Sequence, residues 1–123
     1  LGVRPELASF TVPLCATIHL SGSTMKIVAC AMAIMILTGN GVSVLDMAAF
    51  IAMLGVTMVA APGVPGGAIM AAIGVLQSML GFDEMQIGLM IALYIAMDSF
   101  GTATNVTGDG AVTVIVDKMY KGE

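Results

Sequence analysis

The chain has 123 residues, of which 59% are hydrophobic and 10% charged, and its mean hydropathy is +1.04. An ordinary soluble domain carries about 25% charged residues, so the composition argues against water as the solvent for most of this surface. The formal net charge of −4, without a basic cluster or a basic-aromatic patch, gives nucleic-acid binding no support. The chain starts at Leu1 without an initiator Met or a charged leader, and is expected to be a segment of a longer protein. Cys15 and Cys30 both sit in apolar stretches and read as small buried residues, not as a disulfide or metal ligands.

The first predicted element is a broken membrane helix over residues 9–38. Apolar residues run from Val12 to Leu20, Ser21-Gly22-Ser23-Thr24 interrupts them, and Met25 to Leu37 resumes with one Lys. Small polar residues at such a break free backbone groups that are tolerated only where protein, water or a ligand satisfies them. Unwound backbone of this kind commonly coordinates ions in transporters. His19 stands at the break, where a hydrogen-bonded structural role competes with a pH-dependent one.

A re-entrant hairpin is expected next, over residues 46–80. No charge falls between Asp46 and Asp83, yet Pro62-Gly63-Val64-Pro65-Gly66-Gly67 interrupts the stretch at its centre. Each arm would reach roughly 21 to 24 Å at 1.5 Å per residue, short of a hydrocarbon core of about 30 Å. The alternative, two helices of a soluble core joined by a turn, fits the uninterrupted hydrophobicity poorly.

The last element, residues 85–117, carries the most specific pattern. Apolar from Ile87 to Met97, it then places Thr102, Asn105 and Asp109 within about 40° of Asp98 on a helical wheel. Two acids on one face of a membrane helix are too costly for a lipid-facing surface and should line a polar cavity. A polar seam between helices seldom needs two carboxylates. With the first and last elements each crossing once, both ends of the segment lie on one side. Arg4, Lys118 and Lys121 mark that side, whereas Asp46, Asp83 and Glu84 mark the other. The positive-inside rule makes both ends cytoplasmic, with the hairpin opening outward.

Three motifs in order resemble the dicarboxylate/amino acid:cation symporters: Val12 to Ser23, the tip Gly63-Val64-Pro65-Gly66-Gly67-Ala68-Ile69-Met70, and Asn105-Val106-Thr107-Gly108-Asp109. The resemblance implies an all-α membrane protein and, for this chain, the C-terminal half of an elevator-type transport domain. That half holds a broken seventh helix, the second re-entrant hairpin, which serves as the extracellular gate, and the eighth helix. The N-terminal scaffold and first hairpin would lie outside the chain. It further implies a homotrimer in the cell membrane.

Carried over to this sequence, the resemblance gives Asp98 the substrate's α-ammonium, Thr102 and Asn105 its polar and α-carboxylate contacts, and Val64, Pro65 and Gly66 the hairpin side of the site. Asp109 becomes a sodium-ligating carboxylate, joined by the backbone carbonyls of Cys15, His19 and Asn105; oxygen-only ligation suits a hard cation. Three departures stand out. His19-Leu20-Ser21-Gly22-Ser23 replaces the usual Asn-Met-Asp-Gly-Thr, Gly101 stands where acidic-substrate members have an Arg, and the hairpin tip is one residue shorter. The expectation is a symporter, not an enzyme, and without cofactors: it would move an amino acid, neutral for want of that Arg, with sodium or protons. A carrier of another small anion such as a dicarboxylate, and a transport-inactive receptor or structural module, are the alternatives.

Overall fold

The computed structural model describes residues 1–120, so Lys121, one of the charges used for the orientation argument, lies outside the described residues. Six helices follow in order: α1 (Pro5–Ile18), α2 (Ser21–Leu37), α3 (Val44–Ala60), α4 (Gly67–Leu80), α5 (Glu84–Ala96) and α6 (Asp98–Tyr120). No strand interrupts them among the described residues.

The first break falls earlier than expected. Only His19 and Leu20 leave the helix, and the polar quartet Ser21-Gly22-Ser23-Thr24 forms the first turn of α2. Small polar residues suit a helix start because they leave the first amides accessible to an outside partner. Together, Pro5–Leu37 is long and apolar enough to cross a membrane.

α3 and α4 pack on each other around the Pro-Gly turn. Within that turn the Val64 amide donates to the Pro62 carbonyl and the Gly67 amide to the Val64 carbonyl, both at 2.9 Å. Two glycines are required here for different reasons. Gly66 has φ +77°, which side chains rarely tolerate, and a Cβ on Gly67 would run into the Pro62 carbonyl oxygen. With 17 and 14 residues, the arms reach about 25 and 21 Å at 1.5 Å per residue.

The final element differs from the single helix expected over 85–117. It is two helices, bent by 64° between Ala96 and Asp98. A side chain that takes a carbonyl from the helix ladder is one recognised cause of a kink, and Lys26 Nζ donates to the Tyr94 carbonyl, in the last turn of α5, at 3.3 Å. Asp83 caps the start of α5 and forms a capping box with Gln86.

The core is made by α2, α3, α4 and α5, with Ile27, Ile34, Phe50, Leu54, Ile69, Leu76 and Met90 fully buried. By contrast Val44, Leu45, Ile51, Met53, Val56 and Val59 of α3 are exposed, a surface built for lipid or neighbouring helices rather than water. At the other end Arg4 Nε meets Asp117 Oδ1 at 2.9 Å, so the start of α1 and the last turns of α6 lie side by side.

Candidate functional site

The broken helix lies against α6 because glycine permits it. A Cβ on Gly22 would strike the Gly101 carbonyl oxygen and come within 2.7 Å of Thr104 Cβ, and one on Gly108 would lie 2.6 Å from the His19 ring. This close approach delivers the side chains of α6 to the ends of α1 and α2. Asn105 Oδ1 accepts from the Gly22 amide at 2.8 Å and the Ser23 amide at 3.4 Å, while its Nδ2 donates to Ser23 Oγ at 3.2 Å. An outside side chain thus satisfies amides that a helix start leaves without an intrahelical partner. Tyr94 completes the cluster by donating its hydroxyl to Ser23 Oγ at 3.1 Å.

At the break, His19 Nδ1 lies 2.9 Å from Asp109 Oδ1, the arrangement of a ring N–H donating to a carboxylate. Asp109 is buried, 7% exposed. The Cys15 carbonyl, in the last turn of α1, accepts from the His19 amide at 2.8 Å. Helix carbonyl ends carry partial negative charge, so the end of α1 and the Asp109 carboxylate together make surroundings that favour a cation.

A cavity of about 280 Å³ opens between the hairpin tip and α6. Val64, Pro65 and Gly66 form one wall; Asp98, Thr102, Asn105 and Asp109 form the other, with His19, Ser23 and Tyr94 between them. All four positions that share the polar face of the helical wheel therefore meet at one cavity. Neither Gly101 nor Cys15 lines it. Cys15 is buried behind the break, and Gly101 is buried against Lys26, whose Nζ would lie 2.7 Å from a Cβ placed there. The space beside Gly101 is thus filled, and by a cation.

Lys26 is the main residue that the sequence reading left without a role. Its side chain is 6% exposed, with Nζ 3.7 Å from Asp98 Oδ1 and 3.7 Å from the centre of the Tyr94 ring. The signal was present in the expense of a charge within an apolar helix, but only the 64° bend shows what that charge faces. Tyr94 was also missed, since it does not stand out by residue type, and Ser23 was read only as part of the polar break.

The sodium:dicarboxylate symporter family matches residues 1–119. This chain belongs to that family. Within the curated proteins, the family member is similar to excitatory amino acid transporter 3 of Mus musculus, at 30% identity over 121 residues, covering 98% of this chain and 23% of the relative. It is also similar to the serine/threonine transporter SstT of Acinetobacter baumannii (strain SDF), at 31% identity over 123 residues, covering 95% of this chain and 30% of the relative. The chain thus spans less than a third of the length of these relatives. No solved structure matches it. Its all-α architecture, with a long N-terminal helical stretch, the α3–α4 pair around the Pro-Gly turn and a final pair, α5 and α6, bent by 64°, matches part of an elevator-type transport domain.

Proposed function

We propose that the protein containing this segment is a secondary active symporter that moves a neutral amino acid across the cell membrane with sodium. The supporting observation is the cavity itself, in which the hairpin tip faces Asp98, Thr102, Asn105 and Asp109 across a space of about 280 Å³. Asp98, at the first position of α6, offers a carboxylate to the substrate ammonium. Thr102 and the Asn105 side chain supply neutral hydrogen-bonding groups. Sodium, the co-substrate, takes the Asp109 carboxylate with the carbonyls of Cys15, His19 and Asn105.

The neutral preference follows from the lining. No Lys or Arg among the described residues faces the cavity, so a second substrate carboxylate would lose its hydration without gaining a partner. In this reading the hairpin is re-entrant and gates the extracellular side, both ends of the segment are cytoplasmic, and the full-length protein is a trimer. Proton coupling is a second reading, favoured by the His19 contact with Asp109.

The test is uptake of a panel of neutral and acidic amino acids by the full-length protein in proteoliposomes, with and without a sodium gradient. Asp98→Asn keeps the shape but removes the charge, and should weaken neutral amino-acid binding, by about 2 to 5 kcal/mol if the bound pair is closed off from water. Uptake indifferent to both sodium and pH, or unchanged affinity in Asp98→Asn, would defeat the reading.

A further inference from the structure

Among the described residues Lys26 is the one buried Lys or Arg, and its ammonium has no place on the cavity wall. It stands directly behind that wall. Asp98 faces the cavity with its side chain 52% exposed, and Lys26 Nζ approaches the same carboxylate from the protein side at 3.7 Å. Three further features hold the cation there. The Tyr94 carbonyl accepts its hydrogen bond at 3.3 Å, the Tyr94 ring lies beneath it at 3.7 Å, and Gly101 leaves the notch that its chain fills. The bend adds a fourth, since the carbonyl end of α5 favours a cation and the amide end of α6 favours the Asp98 anion.

We propose that Lys26 is a tethered counter-cation that neutralises Asp98 when the site is empty, and that the ammonium of an arriving amino acid takes over that pairing. The proposal rests on the reading of Asp98 as the ammonium partner. A carboxylate without a counter-charge is costly to carry through the hydrocarbon region of a membrane. With substrate bound, the ammonium supplies the counter-charge; with the site empty, Lys26 does. Both states therefore cross the membrane without an unpaired carboxylate. Lys26 acts through Asp98 and is a positioning residue. It competes with the substrate for Asp98 and so weakens binding, and it makes the return of the empty site feasible.

These two effects have opposite signs, which separates them from simple packing. Full-length wild-type protein, Lys26→Met and Lys26→Gln would be reconstituted and given labelled L-serine as the neutral probe. Exchange of internal for external serine requires only the loaded site to move, whereas net uptake also requires the empty site to return. In both variants net uptake should fall about tenfold or more relative to exchange, the cost of an unpaired intramembrane carboxylate, and serine should bind more tightly. Gln retains a donor for the Tyr94 carbonyl, so a role confined to holding the bend predicts nearly normal behaviour for Lys26→Gln. A ratio of exchange to net uptake that matches wild type in either variant, whether both rates fall or both persist, overturns the proposal. Wild-type protein that neither exchanges nor accumulates serine overturns instead the neutral amino-acid reading on which the proposal rests.

Discussion

Asn105 Oδ1 accepts the Gly22 amide at 2.8 Å, joining the middle of α6 to the first turn of α2 across 83 residues of sequence. The bond does two things. It caps the helix that follows the break, and it fixes the orientation of an amide on the cavity wall. Asn105→Ala would leave the buried Gly22 amide without this acceptor, a loss of about 1 to 3 kcal/mol for a buried donor. Thermal unfolding of the full-length protein in detergent should show the drop. Asn105→Asp keeps the acceptor at a helix N-terminus, where negative charge is favoured, and should retain most of the stability while changing substrate affinity. Equal destabilisation by both changes would mean that the cap is not the source of the effect.

The contact between His19 and Asp109 sets up a second pair of opposed outcomes. Substrate and sodium are linked, and each must strengthen the other's binding by the same factor. Asp109→Asn removes a buried charge from the cation's surroundings and should raise the sodium needed for half-maximal substrate binding, by about 2 kcal/mol or more in free energy. His19→Ala should move it the other way, because His19 Nδ1, 2.9 Å from Oδ1, engages the oxygen that sodium would use. Sodium titrations at fixed substrate read both shifts. If the two variants move together, His19 supports the cation site instead of competing with it.

How much of this was legible follows from what each signal measures. Helical periodicity depends only on spacing, so the shared face of Asp98, Thr102, Asn105 and Asp109 could be read directly, as could the Pro-Gly turn at 62–67. Bends and breaks depend on partners from elsewhere in the chain. The kink before Asp98 coincides with a Lys26 contact 68 residues away, and the first turn of α2 is helical where the polar quartet looked like unwound chain because Asn105 caps it. Gly101 shows the limit most clearly. By itself a glycine announces space, but only the packed structure shows that Lys26 has taken it.

The approach of α2 to α6 gives a third prediction. Gly22 is buried, and its missing side chain is what lets the Gly101 carbonyl and Thr104 come so near. Backbone cannot yield as a flexible side chain can, so Gly22→Ala should act as overpacking and cost about 1 to 3 kcal/mol. It should also push the first turn of α2 from Asn105 and weaken substrate binding along with stability. Unaltered melting and affinity in Gly22→Ala would show that the two helices have room to separate.

The last prediction concerns selectivity, and the structure changes its form. The sequence alone makes Gly101→Arg the natural way to install a clamp for a second carboxylate, since a guanidinium binds a carboxylate through two hydrogen bonds. In the folded protein, however, a side chain at 101 would emerge into Lys26, with Nζ only 2.7 Å from the new Cβ. Two cations cannot share that notch. Gly101→Arg alone should therefore destabilise the protein without giving tighter aspartate binding. Combined with Lys26→Ala, which vacates the notch and removes the like charge, the same change should recover stability and improve aspartate relative to serine in competition with a labelled neutral substrate. The double variant matters because it separates space from charge. If Gly101→Arg by itself already favours aspartate at wild-type stability, Lys26 is free to leave its place beside Asp98 and the notch is no barrier. If the double variant is no better than the single, residue 101 does not face the substrate from any available rotamer, and selectivity between neutral and acidic amino acids is set elsewhere in the full-length protein.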